Sequence, residues 1–140
     1  MNYKIINKSI LLSLNRDEYI NSSIKNIFKK EDFKFGWIRG IGAVHNIEIG
    51  FYDLKNKQYV RKKIKEEHEL LSMMGNVTFV DNDYFVHTHV NLSGKTFKSF
   101  GGHLFEAQIS LTGEFKIDIL DCRIDRHFSN EIGLNLWSIE

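Results

Sequence analysis

His68-Glu69-Leu70-Leu71-Ser72-Met73-Met74-Gly75-Asn76-Val77-Thr78-Phe79-Val80, followed by Asp81-Asn82-Asp83 and then Tyr84-Phe85-Val86-His87-Thr88-His89-Val90-Asn91-Leu92, is the stretch that decides the fold. Two β-rich runs flank a short polar turn, and neither shows the three- and four-residue spacing of an amphipathic helix. Asp and Asn tolerate the backbone angles that reverse a chain, so the stretch reads as a β-hairpin. Side chains alternate between the faces of a strand, which puts Phe85, His87, His89 and Asn91 on one side and Val86, Thr88 and Val90 on the other.

The same reading extends outward in both directions. Further strands are expected at Ser9 to Leu14, Phe35 to Arg39, Ala43 to Asp53, Gln58 to Ile64, Leu104 to Thr112, Phe115 to Arg123 and Leu134 to Ile139. Asp53-Leu54-Lys55-Asn56-Lys57 suits a hairpin turn, and Thr112-Gly113-Glu114 a tight turn or a bulge. Arg39-Gly40-Ile41-Gly42-Ala43 contains a Gly-x-Gly but lacks the third glycine and the following helix of a dinucleotide site, so it reads as a turn between strands.

One segment has helical spacing. Tyr19, Ile20, Ile24, Ile27 and Phe28 line one side of a helix from Asn15 to about Lys30, with Asn15 as cap and Glu18 as its capping partner. The sum is a single α+β domain over residues 1–140, a mostly antiparallel β-sheet flanked by a few helices.

Composition narrows the function classes. With 42% apolar and 13% aromatic residues the 140-residue chain is too hydrophobic for intrinsic disorder. No apolar run approaches the roughly 20 residues of a membrane-spanning helix, so no membrane partner is expected. The amino terminus lacks a secretory signal and Cys122 is the one cysteine, which together point to the cytoplasm. Nineteen Lys and Arg balance eighteen Asp and Glu, a net charge of +1, so the chain has no general attraction for nucleic acid. The basic run Arg61-Lys62-Lys63-Ile64-Lys65 is followed at once by Glu66-Glu67 and reads as a solvated face.

The chemistry is concentrated in histidine. Two imidazoles two residues apart on a strand can reach one ion, and His103, behind Gly101 and Gly102, is placed to join from a neighbouring strand. Three such ligands would leave a fourth position open. Nothing in that spacing requires a metal, since His-x-His also serves as a hydrogen-bonded polar face. Neutral imidazole suits Zn, Ni, Cu or Fe(II), with zinc favoured by abundance and flexible geometry. Glu69 is a candidate for orienting the imidazoles, with Glu106 and Glu114 behind it. His45, His68 and His127 stand alone, and Cys122 reads as a small buried hydrophobe.

Several separated motifs, taken in order, carry a resemblance: Gly36-Trp37-Ile38-Arg39-Gly40-Ile41-Gly42-Ala43, Ile49-Gly50-Phe51-Tyr52-Asp53, Glu69 through Asn76, His87-Thr88-His89, Gly101-Gly102-His103-Leu104, and Arg126 with Gly133-Leu134. Across nearly the whole chain they resemble the plants-and-prokaryotes conserved (PPC) domain. The resemblance implies a largely antiparallel sheet, a homotrimer, and a metal, commonly zinc, on the histidines that match His87, His89 and His103. It also implies a DNA-binding label, although the Arg-Gly-Arg of an AT-hook is missing, Arg39-Gly40 being followed by Ile41. The reading is therefore a trimeric metal-containing assembly or regulatory protein, with DNA as a partner that the label implies and for which neither an AT-hook nor net charge argues. A metal-dependent enzyme or small-ligand binder using an open three-histidine site is the alternative.

Overall fold

The period-two segments become strands, and two of them run on through positions where a turn was expected. In the computed structural model, which describes residues 1–139, the order is β1 (Asn2–Ile6), β2 (Ser9–Asn15), α1 (Ile20–Glu31), β3 (Phe35–Asp53), β4 (Gln58–Ile64), β5 (His68–Val80), β6 (Asp83–Ser93), β7 (Ser99–Leu120), β8 (Asp125–Ser129) and β9 (Leu134–Ser138). The sheet is mostly antiparallel, as expected, but among the described residues it carries one helix, not a few.

Strand order runs β1-β2-β7-β3-β5-β8-β9, with β4 on the side of β3 and β6 joined to both β5 and β7. The pairings β3 to β5, β5 to β6, β6 to β7 and β7 to β3 close a circuit, which holds β6 by hydrogen bonds on both flanks. A strand held on both edges cannot slip in register without breaking two ladders, and this fixes which way the histidines of β6 face. Among the described residues the one parallel contact is a single pair, Phe79 with Asp125.

Arg39 to Ala43 is not a turn. It lies inside β3, where register slips between Gly40 and Gly42. A Cβ on Gly40 would stand 2.1 Å from the Phe115 ring, so this glycine admits a packed aromatic and does not reverse the chain. Thr112-Gly113-Glu114 likewise lies within β7, beside a register shift against β3, which makes it a bulge.

Two strands were missed because neither alternates clearly. β1 pairs with β2 through exposed Ile5 and Ile6, and β8 is the polar run Asp125–Ser129 held against β9. The strand expected to reach Arg123 ends at Leu120, so Cys122 is exposed instead of buried.

The helix begins five residues later than its sequence signal. Asp17 adopts φ 66°, a left-handed angle that breaks helical propagation. Backbone bonds between Asp17 and Ile109 and between Ile109 and Glu18 pin this segment to β7. Glu18 still accepts the Asn15 N–H at 2.7 Å, the return half of a capping box, but it closes a turn ahead of the helix. The helix is capped from across the sheet: Glu106 on β7 accepts the N–H groups of Asn21 and Ser22 at 2.9 and 3.0 Å. A carboxylate there also suits the positive end of the helix dipole. Ile20, Ile24, Ile27 and Phe28 are buried against the sheet, each contributing about 1.5–3 kcal/mol.

Candidate metal centre

His87 and His89 emerge from one face of β6, as strand alternation requires, and β7 sets His103 directly opposite His89. The close spacing depends on what β6 is packed between. Gly75 on β5 lies opposite Thr88, and a Cβ there would stand 2.1 Å from the His87 carbonyl oxygen. Gly101 on β7 lies opposite Asn91, and a Cβ there would stand 2.0 Å from the Val90 carbonyl oxygen. Glycine on both flanks lets the two outer strands close on the histidine strand.

The ring centroids of His87 and His89 are 5.1 Å apart, those of His87 and His103 5.2 Å, and those of His89 and His103 5.5 Å. One nitrogen from each ring falls within 4.8 Å of the others. His87 and His103 are half-buried and His89 is exposed, so the triad faces outward at one corner.

Burial pushes His87 down to about 4, with the Arg126 guanidinium and the other two imidazoles adding to the effect. Burial also pushes His103 down to about 4, aided by His89, Arg61 and Arg126, and lowers His89. At neutral pH the rings are therefore uncharged, the form in which imidazole offers a lone pair to a cation. His103 Nδ1 is buried with no hydrogen-bond partner among the described residues, a polar atom whose burial is costly unless something else meets it. The donor set thus fits a divalent metal.

Arg126, on β8, was not recognised from the sequence as part of this site. Its side chain is 9% exposed. Nε donates to Thr78 Oγ1 at 2.8 Å, Nη1 to the Asn135 carbonyl at 3.1 Å, and Nη2 to Asn76 Oδ1 at 3.1 Å and His87 Nδ1 at 3.2 Å. Arginine has no acceptor, so Nδ1 is the acceptor and the neutral His87 ring carries its proton on Nε2. A neutral ring that binds a cation through one nitrogen carries its proton on the other, so the Arg126 contact gives way when His87 takes a cation. Tyr59 on β4 is the second residue not foreseen, its ring centred 4.9 Å from that of His103. No local spacing marks either residue, because both arrive from strands remote in sequence.

His87, His103, Arg126 and Tyr59 line a cleft of about 380 Å³, closed by Phe85, Phe128, Leu134 and Leu136. Glu69 does not join it. It is exposed and pairs with Ser93 near the far end of the β5–β6 ladder, whereas His87 pairs with Asn76. The register carries it away from the imidazoles, and Glu69 is corrected to a residue outside the cluster. Glu106 is the helix cap, Glu114 is exposed, and Arg39 pairs with Asp118 at 2.8 Å. His45, His68 and His127 lie outside the triad.

The model of the Plants and Prokaryotes Conserved (PCC) domain matches residues 1–121. The chain belongs to the PCC-domain family. Its histidine triad falls inside the matched residues, whereas Arg126 lies beyond them.

Solved structures extend the PCC likeness over nearly the full length. A plant- and prokaryote-conserved (PPC) protein from Pyrococcus horikoshii is 32% identical, with a TM-score of 0.87 over 99% of this chain and 96% of its own. A metal-containing protein from Archaeoglobus fulgidus is 33% identical, with a TM-score of 0.87 over 99% of each chain. A protein from Bacteroides thetaiotaomicron, described as a putative DNA binding protein, is 27% identical, with a TM-score of 0.94 over 98% of this chain and 96% of its own. No curated protein matches the chain. Among the described residues, no helix is long and apolar enough to cross a membrane.

Proposed function

We propose that this PCC domain binds one divalent metal ion, zinc by preference, through His87, His89 and His103, and acts in the cytoplasm as a self-assembling regulatory protein. The observation that carries the metal is the convergence of three uncharged imidazoles with one buried ring nitrogen left unpartnered. The metal-containing relative from Archaeoglobus fulgidus supports the same reading. A bound zinc would supply a Lewis acid with a position open to an oxygen ligand. The chain supplies the rest. β5 and β7 fix the ring spacing, and burial keeps the imidazoles uncharged.

Assembly as a homotrimer is supported by the exposed apolar face across β2, β3 and β5. Leu11, Ile41 and Met74 line one broad groove there and are 46%, 55% and 64% exposed. Apolar area of this kind on a sheet face is what a second copy of the chain would cover. Light scattering should then give three times the 16.4 kDa chain mass, and a monomer at micromolar concentration would count against the trimer.

Direct DNA contact has support from the description of the Bacteroides relative and none from charge, since the chain's net charge is +1. A gel shift at low salt tests it, with no shift expected.

The metal reading is tested on untagged protein by elemental analysis. One zinc per chain is expected, and none in the His87→Ala/His89→Ala/His103→Ala variant. Full retention by that variant would refute the assignment.

A further inference from the structure

We propose that the cleft beside the histidine triad is a binding site for a small organic carboxylate, whose anionic head is held by Arg126 and whose apolar tail lies against Phe85, Phe128 and Leu134. The proposal deepens the metal reading and rests on it for the strength of binding.

Charge balance points to an anion. Arg126 is a buried cation with no carboxylate within ion-pairing distance among the described residues, its acceptors being a hydroxyl, an amide oxygen, a backbone carbonyl and an imidazole nitrogen. Buried charges are ordinarily paired. On the β3–β4 side, Glu48 is taken by Arg61 at 2.9 Å, and that guanidinium stacks 3.7 Å from the centre of the Phe105 ring. A divalent cation on three neutral imidazoles would raise the local charge further, with no carboxylate among the described residues grouped with them to offset it. An anion entering the cleft offsets both.

Geometry selects the kind of anion. Without a metal, four of the five N–H groups of Arg126 are committed, which fixes the plane of the guanidinium and leaves one Nη1 hydrogen for a ligand oxygen; the Nη2 hydrogen on His87 joins it when His87 takes a cation. His87 touches Arg126 at 3.2 Å and also belongs to the triad, so a two-oxygen head can meet the arginine and the metal position together. The remaining walls are aromatic or aliphatic apart from Tyr59 and Asn135, a poor lining for sugars or polyphosphates and a good one for a short hydrocarbon tail. A cleft of about 380 Å³ lies at the small end of ligand sites.

The test is calorimetric titration of zinc-loaded and metal-free protein with isovalerate, its uncharged analogue isovaleramide, and inorganic phosphate, with metal content measured on the same samples. Isovalerate should bind at least tenfold more tightly than either comparison compound, and Arg126→Lys should weaken it about tenfold, because lysine cannot keep the planar fork. A second readout needs no variant: isovalerate should shift the imidazole resonances of His87 and His103 in the wild-type protein. Zinc retained with no isovalerate binding overturns the carboxylate site and leaves the metal reading intact. Zinc absent refutes the metal reading, and the metal-free titration then decides: Arg126-dependent binding upholds the carboxylate site, while its absence overturns it. Phosphate binding as tightly as isovalerate overturns the organic tail.

Discussion

Acidifying the metal-free protein should destabilise it through His87 and His103. Burial holds both rings at about 4 in the folded chain, against an ordinary 6.5. Between those values the unfolded chain binds two protons that the folded chain refuses, and stability rises with pH wherever the unfolded state holds more protons. Nothing is therefore lost above pH 6.5, the loss accumulates from 6.5 down to 4, and it levels off below 4. A drop of that size corresponds to about 3.4 kcal/mol for a fully shielded ring. These rings keep contact with solvent, which reduces the figure to about 1–2 kcal/mol each. Together they should lower Tm by roughly 5–15 °C in a domain of this size. The assay is thermal unfolding followed by circular dichroism at pH 7, 6, 5 and 4, on chelator-treated wild type and on a His87→Gln/His103→Gln variant. Glutamine stays polar and does not titrate, so every other pH effect cancels in the comparison. The wild type should lose stability relative to the variant toward pH 4. Parallel curves would refute the argument that burial keeps the triad neutral.

Three further outcomes follow from the packing. Gly75→Ala forces a methyl to within 2.1 Å of the His87 carbonyl oxygen, so it should cost about 1–3 kcal/mol in urea unfolding and weaken zinc binding at least tenfold in the same preparation. Glu106→Ala removes the acceptor of two helix N–H groups and should cost about 1–2 kcal/mol by the same unfolding assay, with zinc affinity unchanged. Cys122 is exposed, so an aromatic disulfide reagent should titrate one thiol in the native protein without denaturant.

The hairpin from His68 was legible because both strands alternate and the turn residues are explicit, and the observed β5 and β6 match it to within a residue at each end. The two histidines of β6 followed from that alternation alone. His103 was within reach because glycines precede it, and Gly101 does serve as a point of close approach to the Val90 backbone. The interior glycines of β3 gave the opposite lesson. Gly40 is spacing for the Phe115 ring, and a glycine kept for packing has the same letter as one kept for a turn. Helix onset was misplaced because the bonds that hold Asp17 and Glu18 to Ile109 are contacts across more than ninety residues, invisible to a local cap signal. Arg126, singled out only as part of the family resemblance, was not tied to the histidines for the same reason: its partners come from β5, β6 and β9, and nothing local in Arg123-Ile124-Asp125-Arg126 points to them.

X-ray absorption at the zinc edge on untagged protein tests the central claim most directly. Three imidazole nitrogens at about 2.0 Å are expected, with a lighter oxygen ligand in the remaining position. A spectrum lacking imidazole scattering, or one unchanged in the protein lacking all three histidines, would contradict it.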